Sequence, residues 1–194
     1  MNDPLQILDE NRTFINYRSV ANQWVVNKEV VTLVHFVLDP VTLRTGWGCF
    51  SQSSNRTEWQ WDTVVGRQDA KPEDTPGMTW RRGFTIDLYD NAHGWLTWST
   101  TGKASRLAIS RVWPTVVSKT AQSGVLPVIQ ITGVENVAAG NTMLNVPQLA
   151  FVKTVDRATL PESGKSSGNV APPVHAPPAV GTVGAQSLDD EIPF

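Results

Sequence analysis

Apolar and polar residues alternate with period two along much of the first 157 residues, the pattern of strands with one buried face. Across residues 58–65 the alternation puts Trp59, Trp61 and Thr63 on one face, with Glu58 and Gln60 on the other. Across 80–89 it puts Phe84, Ile86 and Leu88 inward and Arg81, Thr85, Asp87 and Tyr89 outward. Trp80 shares the inward parity and is expected at the rim of the core. Asn91-Ala92-His93-Gly94 is a turn signal leading into 95–99, so 80–99 reads as a hairpin. Residues 25–38 crowd β-branched side chains around the polar Asn27-Lys28-Glu29, which predicts strand, turn, strand. Further strands are expected at 126–131 and 146–155. Gly46-Trp47-Gly48 reads as a turn that exposes Trp47. Helical spacing occurs once, over 103–113, where Ala104, Leu107, Ala108 and Val112 form a stripe and Pro114 marks the end. Leu107 and Ile109 also fit a strand there. Five or six strands with one helix in about 150 residues predict a mainly β body, a small barrel or sandwich.

The pattern stops at Arg157. Residues 158–188 hold 5 Pro, 4 Gly and no aromatic, too little apolar surface to offset the entropy of ordering. The layout expected is therefore a folded domain over 1–157, a disordered Pro/Gly/Ala/Ser-rich linker over 158–188, and an acidic tip over 189–194. A flexible coil of 31 residues reaches about 30 Å. In the tip, Asp189, Asp190 and Glu191 stay hydrated, while Ile192 and Phe194 flank Pro193 as apolar anchors. Such a tip suits a partner pocket with an apolar floor and a basic rim.

Charge follows the same division. The 194-residue chain carries −2 overall, split as 15 Lys+Arg against 14 Asp+Glu up to Arg157 and 1 against 4 beyond it. A near-neutral body with an acidic tail is the result. The single Cys49 excludes a disulfide framework and a multi-cysteine zinc site. Neither a secretory pattern nor an apolar run of membrane-spanning length is visible, which points to the cytoplasm and to no membrane partner. His35 lies in an apolar strand, His93 in a turn and His175 in the linker, and none forms a nucleophile motif with Cys49. Asp69, Glu73 and Asp74 read as a solvated loop. No enzyme, cofactor or metal site is expected.

Tryptophan changes the picture. Seven of the 8 Trp fall between Trp47 and Trp113, interleaved with cations. Aromatic faces stack on unpaired bases at about 1–3 kcal/mol each while cations track phosphates, so this mixture points to single-stranded nucleic acid. The candidate contacts are Arg44, Trp47, Arg56, Trp59, Trp61, Arg81, Arg82, Tyr89, Trp95 and Lys103. A tryptophan serves equally as a core residue. For Trp59 and Trp61 both readings stand: their face lines the interior, or it forms a solvent-facing platform.

The last six residues, Asp189-Asp190-Glu191-Ile192-Pro193-Phe194, resemble the acidic C-terminal tip of the bacterial single-stranded DNA-binding proteins, which also hangs on a low-complexity linker. Glu191 stands where Asp is usual, Leu188 precedes the acids, and the body does not resemble that family's DNA-binding domain. A divergent member, bacterial or encoded by a bacteriophage, would look like this. The resemblance implies an oligonucleotide-binding (OB) barrel with one helix. It also implies binding and protection of single-stranded DNA with little sequence preference. Replication, recombination and repair proteins would be recruited through the tip, and a homo-oligomer is open. Two rivals come from other classes: an adaptor that uses the tip without touching DNA, and a carbohydrate-binding β-sandwich with exposed indoles.

Overall fold

Period-two segments become strands, and most run longer than the alternation alone marks. The computed structural model describes residues 12–51, 56–64, 67–121 and 124–162. Its elements are β1 (Phe14–Arg18), β2 (Gln23–Val26), β3 (Glu29–Val31), β4 (His35–Ser51), β5 (Arg56–Trp61), β6 (Arg81–Asp90), β7 (Gly94–Thr100), α1 (Lys103–Lys119), β8 (Val125–Ala139) and β9 (Thr142–Asp156). A 3-10 turn, Arg157–Thr159, follows β9. The protein is mainly β with one α-helix among the described residues, and no described helix is long and apolar enough to cross a membrane.

All nine strands join one sheet in the order β3-β2-β1-β7-β6-β4-β8-β9, with β5 added on β4. Every pairing is antiparallel except β1 with β7. The 17-residue β4 is the spine. Its first part pairs with β8, its last part pairs with β5, and β6 follows it along the other side. Between these parts the register with β6 slips between Asp39 and Arg44. Pro40 lies in that slip and cannot donate to a ladder, so the strand bends there and serves two neighbours in succession.

The bend lets one sheet enclose one core. Ile15, Trp24, Phe36, Leu38, Phe84, Ile86, Leu88, Leu96, Trp98, Ile129 and Val146 belong to a single buried cluster although they come from both ends of the sheet. Trp98 sits at its centre, edge-on to Trp24 at 4.9 Å and to Phe84 at 5.2 Å. Such tilted contacts add about 0.5–1.5 kcal/mol each beyond area burial. The end strand β9 also touches the connection between β1 and β2. Asn145 of β9 donates its backbone N–H and its side-chain amide to the Ser19 carbonyl, at 3.3 and 2.8 Å. The sheet is therefore curled into a half-barrel and clasped by a single residue rather than by a ladder. A second clasp joins Asp39, fully buried at the bend of β4, to Arg157 just past β9 through a two-pronged ion pair.

Helix α1 follows β7 and buries Ala104, Ala108, Val112 and Val116 in the same cluster. The expected stop at Pro114 does not occur. Pro114 is exposed, one backbone bond is lost there, and Val116 is fully buried one turn after Val112. Packing of that face carries the helix to Lys119. Gly46-Trp47-Gly48 is no turn either but the middle of β4. The β2–β3 and β6–β7 hairpins stand where expected, whereas β1 was not anticipated and β8 and β9 extend well past 131 and start well before 146. Residues 158–162, read from sequence as the start of the linker, contain part of the 3-10 turn. The rest of the linker and the tip lie outside the described residues.

Candidate functional site

The β4–β5 register sets Gly46 opposite Trp61 and Gly48 opposite Trp59. Cross-strand partners share a face, so two glycines lie beneath two indoles. Gly83 of β6, opposite Gly46 on the other side, extends the same floor. Its bareness is required. A Cβ on Gly46 would sit 2.5 Å from the Gln60 carbonyl oxygen, one on Gly48 would sit 3.0 Å from Trp59 Cζ3, and one on Gly83 would sit 2.7 Å from Trp59 Cη2. On this floor Trp59 and Trp61 stack in parallel, 4.5 Å apart at 6°. The Arg44 guanidinium covers the Trp61 ring at 4.4 Å. Both indoles are half-buried and neither belongs to the core cluster. The Trp59/Trp61 face is thus on the outside of the half-barrel.

The other face of the same strands carries a different tryptophan. Trp47 is opposite Gln60 on β5 and Arg82 on β6. The Arg82 guanidinium stands 5.5 Å from the Trp47 ring centre and grips the Asp62 carboxylate with two prongs, one at 2.6 Å. Thr45 also donates to Asp62, and the Asp69 N–H donates to it at 3.2 Å. Asp69 returns its own oxygens, accepting from Thr63 N–H at 2.7 Å and, through its carbonyl, from the Trp47 indole N–H at 3.0 Å. The Asp62 side chain is only 1% exposed. Arg82 above all, with Thr45 and the Asp69 N–H, holds its carboxyl down to about 2 against the desolvation that raises it. This cluster is a latch that fixes the segment after β5 to β4 and β6.

Arg106, in the first turn of α1, faces the latch. Burial, and then the Arg82 charge, lower its affinity for its proton, and its Nε is buried without a hydrogen-bond partner among the described residues.

The remaining candidates divide between the two faces. Arg81 is exposed and paired opposite Gly48, hence on the indole face. Tyr89 and Trp95 meet edge-on at 5.5 Å at the far end of that face, eight residues along β6 or about 26 Å away. The Trp95 indole N–H donates to the Pro161 carbonyl at 2.7 Å, so the chain after β9 rests against it. Lys103 is exposed at the start of α1. Arg56 opens β5 opposite Ser51, and its side chain lies outside the described part. Trp80 is half-buried just ahead of β6, its N–H bound to Asp74 at 2.9 Å. The site therefore gathers Arg44, Trp59, Trp61 and Arg81, leaves Tyr89 and Trp95 at a distance on the same face, and sets Trp47 and Arg82 behind the sheet.

Sequence reasoning read Gly46 and Gly48 as a turn and Asp69 as part of a solvated loop, where the structure puts them in a strand and in the latch, and it passed over Gly83, Thr45 and Asp62. One signal was present: glycines at period two in Gly46-Trp47-Gly48 match indoles at period two in Trp59-Gln60-Trp61. Small and large at the same spacing are what a cross-strand fit requires. No family model, no curated protein and no solved structure matches the chain.

Proposed function

We propose that this protein binds single-stranded DNA on the outer face of its curled sheet, with little sequence preference and without catalysis. The observation that carries the reading is the Arg44–Trp61–Trp59 stack on its glycine floor, beside the exposed Arg81. Trp61 has Trp59 on one face and a cation on the other. A guanidinium on an exposed indole is worth about 0.5–1 kcal/mol, and a base in its place about 1–3 kcal/mol. The exchange favours the base. Arg44, released from the ring, then meets the phosphate of the same nucleotide. Since every base has a π-face, discrimination among bases is small.

The connectivity supports an OB-type barrel. Strands β4, β6, β7, β8 and β9 form a run of five, with α1 between the third and fourth. Oligonucleotide-binding barrels use the face of their second and third strands, flanked by the connections after the first and fourth. In this chain those are the outer face of β6 and β7, the connection that carries β5 with the latch, and the long β8–β9 hairpin. The segment Asp189–Phe194 would recruit replication, recombination or repair proteins through apolar anchors beside a cluster of acids. The carbohydrate reading loses its main support in the stack, because two indoles facing each other at 4.5 Å do not make the flat double platform a sugar covers.

Filter binding and intrinsic fluorescence with a thymidine oligomer test the proposal. The full chain should bind and its tryptophan emission should be quenched. A Trp59→Ala/Trp61→Ala variant should bind about 10-fold or more weakly, the loss of at least one stacked base. Equal binding by the two proteins would remove the platform from the reading.

A further inference from the structure

The outer face does not stop at β7. In the parallel β1–β7 pairing Phe14 is opposite Thr97 and Ile15 is opposite Trp98. Ile15 and Trp98 are fully buried, so Phe14, Asn16 and Arg18 take the outward parity. On β2, Val25 is opposite Asn16 and, although only 5% exposed, lines the same side. The β2–β3 turn rises at its side, with Asn27 and Lys28 in the left-handed region at φ 49° and 73°. Together Phe14, Asn16, Arg18, Val25, Asn27 and Lys28 line an open groove of about 380 Å³.

Three properties define this groove. Its floor is apolar at Phe14, which is 39% exposed, and at Val25. Its rim carries two exposed cations and two exposed amides. Among the described residues no carboxylate lies within ion-pair distance of Arg18 or Lys28, a property they share with Arg44 and Arg81 of the platform. An aromatic floor under unneutralised cations is the chemistry that holds a phosphate and an unpaired base together. Among the described residues, the way there from the platform runs over the outer face of β4, β6 and β7. It crosses five strand spacings from β5 to β2, about 24 Å, over the small polar Thr85 and Ser99. The acid along it, Asp87, is already engaged by Arg12 at 3.8 Å and by the Thr97 hydroxyl at 2.8 Å.

We propose that this groove is a second nucleic-acid subsite, holding a phosphate between Arg18 and Lys28 and stacking a base on Phe14. It rests on the DNA-binding reading above and extends it, giving the N-terminal strands β1 and β2 a ligand of their own. The subsite lengthens the bound track rather than creating it.

The test compares the full chain with an Arg18→Ala/Lys28→Ala variant on thymidine oligomers of increasing length, followed by tryptophan fluorescence over a range of salt. Short oligomers that cover only the platform should bind both proteins equally. On long oligomers the variant should reach its plateau sooner and bind about five- to tenfold more weakly at low salt, with a slope of log K on log salt shallower by about 0.7, the loss of one neutralised phosphate. An Arg18→Lys/Lys28→Arg variant should keep the parent slope. Phe14→Ala should weaken long-oligomer binding without changing the slope. If the cation-free variant matches the parent in slope and length dependence while Trp59→Ala/Trp61→Ala binds weakly, the groove is wrong and the platform stands. A parent that binds no thymidine oligomer of any length overturns both.

Discussion

The two faces of the β5–β4–β6 strands carry the same ingredients to opposite ends. On each, an arginine lies over a tryptophan: Arg44 over Trp61 outside, Arg82 over Trp47 behind. What separates them is one carboxylate. Asp62 takes up the Arg82 charge and ties it into a hydrogen-bonded latch, while Arg44 has no acid partner among the described residues. A cation beside an indole is therefore left without an acid partner in one place and built into a structural latch a few ångströms away. Composition does not reveal the difference; the neutralising acid does.

Removing that acid should have the largest effect. Asp62→Ala leaves the half-buried Arg82 unpaired beside Arg106, and breaking such a pair costs up to about 3–5 kcal/mol. Chemical denaturation should show this, with DNA binding at low denaturant nearly unchanged. The same group gives a pH signature. Its carboxyl titrates at about 2, below the ordinary value near 4, so its stabilisation is whole above about pH 4 and is lost as the pH falls through about 2. On the order of 1–2 kcal/mol should vanish over that window in the parent and be absent from Asp62→Asn. Next in size is the floor. Gly46→Val drives a Cβ against the Gln60 carbonyl, which should cost about 3 kcal/mol and loosen the indole pair, seen as changed near-ultraviolet dichroism. An unchanged melting curve would mean that the glycines are not there to seat the rings. Smallest is Arg44→Ala. Stability should hold within about 0.5 kcal/mol, since an exposed cation on a ring contributes little. The salt slope for DNA should fall by about 0.7. If Arg44→Ala destabilised the fold as strongly as Asp62→Ala does, the contrast between the faces would dissolve.

Local pattern made the mainly β body legible. Alternation located the β6–β7 hairpin, and the polar Asn27-Lys28-Glu29 located the β2–β3 turn, whose residues adopt the left-handed conformation such turns need. The stripe through Ala104, Ala108 and Val112 located the start of α1 but not its end, because Val116 beyond Pro114 is held by tertiary burial. The second half of β4 was hidden by its own glycines. They signal a turn locally and are there because indoles from another strand occupy the space of their side chains. β1 has only five residues and owes its place to β2 and β7 on either side. Within the site, the cations and tryptophans were visible as types, but which face each takes depends on β4 running straight through Gly46-Trp47-Gly48. The neutralisation of Arg82 depends on Asp62, twenty positions away.

The pairing of Asp39 with Arg157 has a consequence for the life of the chain before it is finished. The two residues are 118 positions apart, and the acid sits wholly inside the spine strand. A nascent polypeptide emerging from the ribosome can draw its early strands together, yet that interior charge has no counter-ion until the final strand has been synthesised. Enclosing an uncompensated carboxylate is unfavourable by several kcal/mol, so the clasp of the half-barrel at the bend of β4 is incomplete without Arg157. A chain cut short of Arg157 should accordingly denature more easily than one that retains it.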